Sequence, residues 1–169
     1  MTEEGLIPIS EGMSNKTPIA LDATDLEETL GSGYPAPYDE PCKDRRRRRL
    51  GDNFGLTDFG VNLVELPPGT WSSQRHWHSH EDEFVYILEG TATLVTDDGE
   101  TELSPGMCAG FKAGDANGHQ LINKSDAPVR YLEMGSRNAE DDGFYSDIDM
   151  QILKRALGGE FTRKDGSAL

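Results

Sequence analysis

The stretch QRHWHSHEDEFVYILEG, residues 74–90, combines a cluster of ionisable side chains with an apolar segment that ends in glycine. Side chains two positions apart on a strand share a face, so a strand here points His76 and His78 the same way. By the same rule, Glu83 shares its face with Val85. A hairpin between the two strands would bring Glu83 beside both imidazoles, and two histidines with a carboxylate suit a divalent transition metal. The alternative is a polar loop that binds nothing.

Short runs rich in β-branched and aromatic residues fill the chain from Phe54 to Gly135, and each is bounded by Gly, Pro, Asp or Asn. Strands with turns at regular intervals are typical of a β-sandwich or β-barrel. One run, TLVTDDGETEL, predicts a hairpin whose tight turn uses Asp98 and Gly99. No helix-length apolar period interrupts these runs, which argues against an α/β fold. The sequence therefore predicts an all-β domain.

The chain divides into an N-terminal arm over residues 1–53, a barrel over 54–153 and a tail over 154–169. The arm has little periodicity and holds five of the nine prolines. We therefore expect it to be mostly extended and to pack on the barrel or on a partner subunit. At the junction with the tail, the segment ILKRALGG predicts a short C-terminal helix closed by Gly158.

Five consecutive arginines, Arg45 to Arg49, interrupt the arm. One interpretation is a nucleic-acid or targeting patch. The favoured one is pairing with carboxylates of the same protein or of a partner subunit, because the chain holds 31 acids. If the run forms a strand, Arg45, Arg47 and Arg49 share one face, and one of them could reach a pocket. The role of the run stays open at this point.

The formal net charge of −15 argues against partners that are polyanions, such as nucleic acid and anionic membranes. No run of about 18 apolar residues is present, so no membrane-spanning helix is expected. The first residues lack the basic and apolar regions of a signal peptide. Cys42 and Cys108 are expected to be free thiols, and the protein is expected to be cytoplasmic.

The opening stretch resembles the first motif of the cupin family, which is Gly, a short gap, His-x-His, three or four residues, Glu, six residues and Gly. Gly69, His76, His78, Glu83 and Gly90 match it, with a gap after Gly69 that is one residue longer than usual.

A second segment resembles the other cupin motif, which is Gly, five residues, Pro-x-Gly, two residues, His, three residues and Asn. Gly106, Gly114, His119 and Asn123 match it. Lys112 replaces the usual proline, and four residues precede His119 instead of two. The extra residues fall in a turn, where insertions are tolerated.

In an alternative register, His78 and His80 form the His-x-His pair. It leaves only two residues before Glu83, too few for the family spacing, whereas Glu83 lies the right distance before Gly90. The first register is therefore favoured, with His80 in the turn between two strands.

The resemblance to a largely uncharacterised subgroup of small single-domain bacterial cupins of the cupin 2 type implies a jelly-roll barrel, also called a double-stranded β-helix. It implies one divalent transition metal per subunit, inside the barrel, on His76, His78, Glu83 and His119. These ligands accept iron, manganese, nickel or zinc and leave one or two positions of an octahedral ion open. The identity of the metal and the substrate stay open.

Strand parity predicts which other side chains face the same interior. Ser72 and Gln74 share parity with His76, and Asn123 shares parity with His119. Gln74 is the candidate for a polar pocket residue near the substrate, with an ordinary barrel-interior residue as the alternative. No other catalytic residue is predicted.

Two functions follow from the open metal position. The favoured one is a metal-dependent enzyme on a small organic molecule, of the dioxygenase, isomerase or decarboxylase type. The alternative is a non-catalytic cupin that binds or senses a metal or small ligand, because no acid–base residue is identifiable in the predicted pocket. Fold alone cannot choose between them.

The length of the arm predicts self-association. Jelly rolls have sheet edges that must be covered, and an arm of 53 residues is long enough to lie along a neighbouring subunit. Many cupins are dimers. We therefore expect a homodimer formed through the arm and the sheet edges.

Overall fold

The chain is described by a computed structural model over residues 17–154 and 157–169, and its regular secondary structure there consists almost entirely of antiparallel strands. The strands are β1 (Thr29–Leu30), β2 (Arg46–Arg49), β3 (Phe59–Leu66), β4 (His76–His78), β5 (Glu83–Glu89), β6 (Ala92–Thr96), β7 (Gly99–Leu103), β8 (Cys108–Phe111), β9 (Gln120–Ile122), β10 (Val129–Ser136), β11 (Gly143–Tyr145), β12 (Gln151–Ile152) and β13 (Phe161–Thr162). Two 3₁₀ turns span Ala23–Asp25 and Glu40–Cys42, and one short helix, α1, spans Leu50–Asn53. None of the helices in the described ranges is long and apolar enough to cross a membrane.

The strands form two layers. The first is a six-stranded sheet with the order β1-β2-β3-β10-β5-β8. The second combines the sheets β13-β12-β11-β4 and β7-β6-β9, which are linked by a bridge between His76 and His119. Buried residues of both layers form one core: Val64, Leu66, Val85, Ile87, Val129 and Tyr131 from the first, and Ala92, Leu103 and Leu121 from the second. The predicted all-β jelly-roll architecture is confirmed.

Strand β5 shows the predicted alternation of faces most clearly. Val85 and Ile87 are 6% and 0% exposed, whereas Tyr86 and Leu88 are 38% and 45% exposed. Glu83 has the same parity as Val85 and therefore points into the barrel.

Glycine is required where β5 turns into β6. Gly90 has a φ of 75°, and a Cβ atom there would lie 2.4 Å from the carbonyl oxygen of Pro128. The predicted hairpin pairs β6 with β7, and the positive φ of its turn lies on Gly99, whereas Asp98 keeps an ordinary conformation.

The arm, where the structure describes it, is integrated into the barrel. Strand β2 pairs with β3, so that Arg47 lies opposite Val64. Cys42 is fully buried, and both cysteines are free thiols. The Pro41 carbonyl accepts a hydrogen bond from the Trp71 amide. Residues 1–16 of the predicted arm lie outside the described residues.

The tail adds strand structure to the second layer, since β13 pairs with β12 and β12 pairs with β11. The helix predicted over ILKRALGG begins at Ile152, which lies in β12. Residues 155 and 156 of that predicted helix lie outside the described residues.

Candidate metal centre

Four side chains from three parts of the chain meet inside the barrel. Strand β4 supplies His76 and His78, the first residue of β5 supplies Glu83, and His119 immediately precedes β9. The Oε2 atom of Glu83 lies 3.8, 3.6 and 2.9 Å from the Nε2 atoms of His76, His78 and His119. The four predicted ligands are therefore brought together around one carboxylate oxygen.

Backbone pairing explains why His119 joins the cluster despite its distance along the chain. The His76 amide donates to the His119 carbonyl at 3.1 Å, and the His119 amide donates to the His76 carbonyl at 2.9 Å. Residues that exchange both bonds in an antiparallel pair point to the same face. The two ring centroids lie 5.0 Å apart as a result.

Hydrogen bonds orient two of the imidazoles. His76 Nδ1 donates to the carbonyl oxygen of Gln74 at 2.9 Å, and His78 Nδ1 donates to Oδ2 of the fully buried Asp141 at 2.7 Å. A proton fixed on Nδ1 leaves the Nε2 lone pair for the centre of the cluster. The His119 ring is held differently, because it stacks on Phe111 with centroids 3.5 Å apart and has no hydrogen-bond partner at Nδ1.

The pKa values indicate a neutral His76 imidazole beside an ionised Glu83 carboxylate. Burial lowers the pKa of His76 to about 3, against the opposing charge of Glu83. Burial by itself raises the pKa of the Glu83 carboxyl. The interaction with His119 and the charges of the three imidazoles have a larger effect in the opposite direction, and they hold that pKa well below its usual range. These are the protonation states that bind a metal.

The residues fit a divalent metal ion. One ligand atom from each of His76, Glu83 and His119 lies within 4.8 Å of the others. Glu83 Oε2 is buried and has no aligned hydrogen-bond donor, although three imidazoles surround it. A buried carboxylate oxygen without a donor is costly, and an ion between the four side chains would remove that cost.

A second cluster of buried groups stands behind His78. Ligand atoms of His78, Glu81 and Asp141 lie within 4.8 Å of one another. Asp141 also accepts from the His80 amide at 3.0 Å, and Glu81 accepts from the Asn138 amide at 3.0 Å. These contacts tie the turn at 79–82 to the loop before β11. Glu81 lies in the predicted turn, but it is buried rather than exposed.

An inner cavity of about 290 Å³ reaches the cluster and is lined by both polar and apolar side chains. Besides the four predicted ligands, its lining includes Tyr34, Arg45, Arg47, Ser72, Ser73, Tyr131, Glu133 and Tyr145. An outer cavity of about 420 Å³ shares His78, Glu83, Phe111 and His119 with it, and adds Asp98, Lys112, Asp115 and Asn117. The cluster therefore has access to space that can hold a small molecule.

The other residues predicted by strand parity have different places. Ser72 lines the inner cavity. Gln74 is buried, its side chain donates to the Tyr38 carbonyl at 2.7 Å, and it lines neither cavity. Asn123 is fully buried and donates to the carbonyls of Leu66 and Ala127, so it stabilises a turn.

Sequence reasoning missed several polar groups near the cluster. Glu133 and Tyr131 lie on the inward face of β10, which the alternation in PVRYLEMG could have indicated. Asp141 lies in the acidic loop NAEDDG, where nothing local distinguishes it from its neighbours. The placement of Arg47 required knowing that β2 pairs with β3.

Comparisons with known proteins agree with the fold and the motifs. A sequence model of the cupin domain matches residues 62–135. The crystal structure of a sugar phosphate isomerase of the cupin superfamily, from Silicibacter pomeroyi, shares 49% identity and a TM-score of 0.86, over 89% of this chain and 96% of that one. A candidate sugar phosphate isomerase from Acidithiobacillus ferrooxidans shares 26% identity and a TM-score of 0.68, over 75% and 80%.

More distant likeness extends to the fold alone. A polyketide cyclase from Streptomyces resistomycificus is 21% identical, with a TM-score of 0.56 over 76% of this chain and 87% of that one. No curated protein matches the sequence significantly. The domain match and the nearly full-length similarity at 49% identity confirm the resemblance seen in the two motifs. The chain belongs to the cupin superfamily.

Proposed function

We propose that the protein is a metal-dependent isomerase that interconverts an aldose phosphate and a ketose phosphate. The observation that carries this proposal is the convergence of three imidazoles and Glu83 on the wall of the inner cavity, which is also lined by a second carboxylate, Glu133. The substrate class follows the solved structure that is 49% identical and is described as a sugar phosphate isomerase.

His76, His78, Glu83 and His119 would hold one divalent transition metal ion. When bound, the ion would supply Lewis-acid polarisation of the substrate carbonyl, which makes the C–H bond on the adjacent hydroxyl-bearing carbon acidic. Iron, manganese, nickel and zinc all suit this set of ligands.

Glu133 is the candidate acid–base residue. Isomerisation moves one proton between adjacent carbons and another between their oxygens, so it needs a group that accepts a proton and returns it one carbon away. Glu133 lies on β10 and lines the inner cavity, and its Oε1 accepts from the Asn62 side chain at 2.9 Å. That hydrogen bond fixes the carboxylate while leaving its other oxygen available for the carbon-bound proton.

This assignment favours the isomerase among the three enzyme types that the motifs allow. A dioxygenase needs few protein groups beyond its metal, whereas the inner cavity holds Arg45, Arg47, Glu133 and several hydroxyls. Cationic and hydroxyl groups suit a phosphorylated polyol. The non-catalytic alternative predicts that ligands bind without any proton exchange, which can be measured.

The test is deuterium exchange. Protein purified anaerobically with added metal is incubated in D₂O with a panel of aldose and ketose phosphates, and NMR follows exchange at the carbon beside the carbonyl. We expect exchange with at least one member of the panel. Glu133→Gln is expected to abolish exchange and keep the metal, whereas His76→Ala is expected to lose both. Tight ligand binding without exchange across the panel would establish the binding-module alternative instead.

We further propose that the functional unit is a homodimer. Strand β8 is an edge of the six-stranded sheet, and beside it the outward face of β5 exposes Phe84, Tyr86 and Leu88, at 38%, 38% and 45%. Association of two such faces would bury this apolar row and cover the edge. Light scattering after size exclusion is expected to give twice the chain mass of 18.6 kDa. A Tyr86→Glu variant should run as a monomer, and a monomeric wild type would contradict the proposal.

A further inference from the structure

The five arginines of the arm have different partners. Three of them pair with carboxylates: Arg46 with Glu28 and Glu65, Arg48 with Glu28, and Arg49 with Asp52. Arg45 is buried and donates to two backbone carbonyls, those of Gly31 and Ser72. Within the described residues, the Arg47 guanidinium makes no hydrogen bond and no ion pair, and its Nε atom is buried without a partner. Arg47 is therefore the exception in the run.

The position of Arg47 makes this lack of partners significant. Arg47 lines the inner cavity together with Arg45, whose charge is met only by neutral carbonyls. Burial first, and then the charge of Arg45, lower the pKa of the Arg47 guanidinium, whereas the charge of Glu133 opposes this shift. A guanidinium stays protonated in proteins, so two cations face one cavity without a carboxylate paired to either. Glu133 lies in the same cavity but forms no ion pair with them, and its Oε1 is bonded to Asn62.

A second polar group without an aligned partner lies on the same face of the sheet. Arg47 is opposite Val64 in the register of β2 and β3, and Val64 is opposite Tyr131 in the register of β3 and β10. Residues opposite each other in antiparallel strands share a face, so Arg47 and Tyr131 flank Val64 on the cavity side. The Tyr131 hydroxyl is fully buried beside the Ser72 side chain, but no hydrogen bond to it has good geometry.

We propose that Arg47, assisted by the Tyr131 hydroxyl, binds the phosphate group of the substrate at the arm side of the inner cavity. This inference deepens the proposed function, on which its choice of a phosphorylated sugar rests. A phosphate accepts two parallel hydrogen bonds from the planar guanidinium and balances the cationic charge. The Tyr131 O–H donates to the same group or to its bridging oxygen, and the reacting carbons then face His76, His78 and Glu83.

The consequence is a division of labour along the chain. Arg47 belongs to β2 and lies outside residues 62–135, which match the cupin domain. Selectivity for a phosphorylated substrate would thus come from the arm. A cupin barrel without this arm would keep the metal ligands but lose Arg47.

The direct test is a calorimetric titration of metal-replete full-length protein with inorganic phosphate. Arg47→Ala is expected to weaken phosphate binding by about 10-fold to 100-fold, the usual range for a hydrogen bond to a charged group. The phosphate affinity of Arg47→Lys should lie between those of wild type and Arg47→Ala, since lysine keeps the charge but cannot donate two parallel hydrogen bonds. Arg49→Ala is the matched control: it removes the same charge from the same strand, at a residue paired with Asp52, and should bind phosphate as wild type does.

The titration is repeated on chelator-treated protein, because phosphate could also bind the metal. In the chelator-treated protein, phosphate affinity should still fall when Arg47 is replaced. Metal content and thermal unfolding of each variant are measured alongside, so that misfolding is not mistaken for lost binding, and Arg47→Gln replaces the alanine variant if the latter unfolds. Equal phosphate affinity in folded Arg47→Gln and wild type would overturn the inference.

Kinetics separate this inference from the proposed function. With an active sugar phosphate, Arg47→Ala should raise KM for that substrate and leave KM for the unphosphorylated sugar unchanged. If the protein binds phosphate through Arg47 but isomerises no sugar phosphate, the proposed isomerase function is refuted and the proposed anion site stands. Isomerisation with the same kcat/KM in wild type and Arg47→Ala would refute the anion site and keep the isomerase.

Discussion

The barrel and the arm supply different kinds of side chain to one cavity. The barrel contributes Glu83 and three imidazoles, and the Nε2 atoms of those imidazoles surround the Oε2 atom of Glu83. The arm contributes Arg45 and Arg47, which are cations without carboxylate partners. The barrel groups are those that metal chemistry requires, whereas the arm groups suit recognition of an anion. The contrast teaches that reactivity and selectivity can be carried by separate segments of a single small domain.

The largest expected effect is a loss of metal affinity on replacing Glu83 in the barrel. Glu83→Ala removes the oxygen around which the cluster is built, and we expect metal affinity to fall by more than about 100-fold, beyond the usual cost of losing a supporting residue. Elemental analysis of metal-replete protein is the measurement. Glu89→Ala, on the same strand but paired only with the exposed Arg130, is the control and should keep the metal.

A smaller loss is expected from the carboxylate that supports His78. Asp141→Asn keeps the shape of the side chain but removes the charge that accepts the His78 Nδ1 proton. Metal affinity should fall by about 10-fold to 100-fold, as for other partners of metal-binding histidines. Competition with a metallochromic chelator would measure it. Unchanged affinity would mean that orientation of His78 does not depend on this bond.

The attachment of the arm to the barrel can be broken separately. Arg45→Met removes two hydrogen bonds from a charged donor, to the carbonyls of Gly31 and Ser72, and we expect about 1–3 kcal/mol lower free energy of unfolding. Arg48→Ala removes a more exposed ion pair with Glu28 and a hydrogen bond to the Leu26 carbonyl, and should lower the free energy of unfolding by less, about 1 kcal/mol. Urea denaturation distinguishes the two. Equal effects would contradict the buried role of Arg45.

Acidification should gradually lower the free energy of unfolding of the metal-free protein, through groups in the barrel. The pKa of His76 falls from 6.5 to about 3 on folding because of burial. The unfolded state therefore binds more protons between these values, and the stability present above pH 6.5 is lost as the pH falls toward 3. The depressed pKa of Glu83 acts in the same direction below 4.5.

The expected slope is at most about 1.4 kcal/mol per pH unit for each proton taken up. Urea unfolding of chelator-treated protein at pH 7 and pH 5 measures it. The slope should be reduced in His76→Gln and unchanged in His80→Ala, since the His80 ring is bonded to Ser79 outside the cluster. A flat profile for wild type would contradict the burial of a neutral His76.

Much of the site was predictable because its spacing is local. The period of two in a strand placed His76 and His78 on one face and Glu83 on the inward face of the next strand. His119 was predicted from the family resemblance and not from local spacing. The same parity rule placed Gln74 in the cavity, whereas its amide bonds the arm at Tyr38. Parity indicates the face of a strand but not which neighbour satisfies a long polar side chain.

By itself, the sequence determined the all-β class, the paired motifs and the shared face of His76, His78 and Glu83, because those features depend on strand alternation and on fixed local spacings, whereas His119 entered through the resemblance of the second motif to the cupin family. Only the tertiary structure decided that Asp141 supports His78, that Glu133 enters the cavity, and that Arg47 alone among five adjacent arginines lacks a partner. These facts depend on the pairing of strands far apart in the chain, such as β2 with β3 and β3 with β10. Such pairing is set by the packing of the whole core, so no local pattern encodes it.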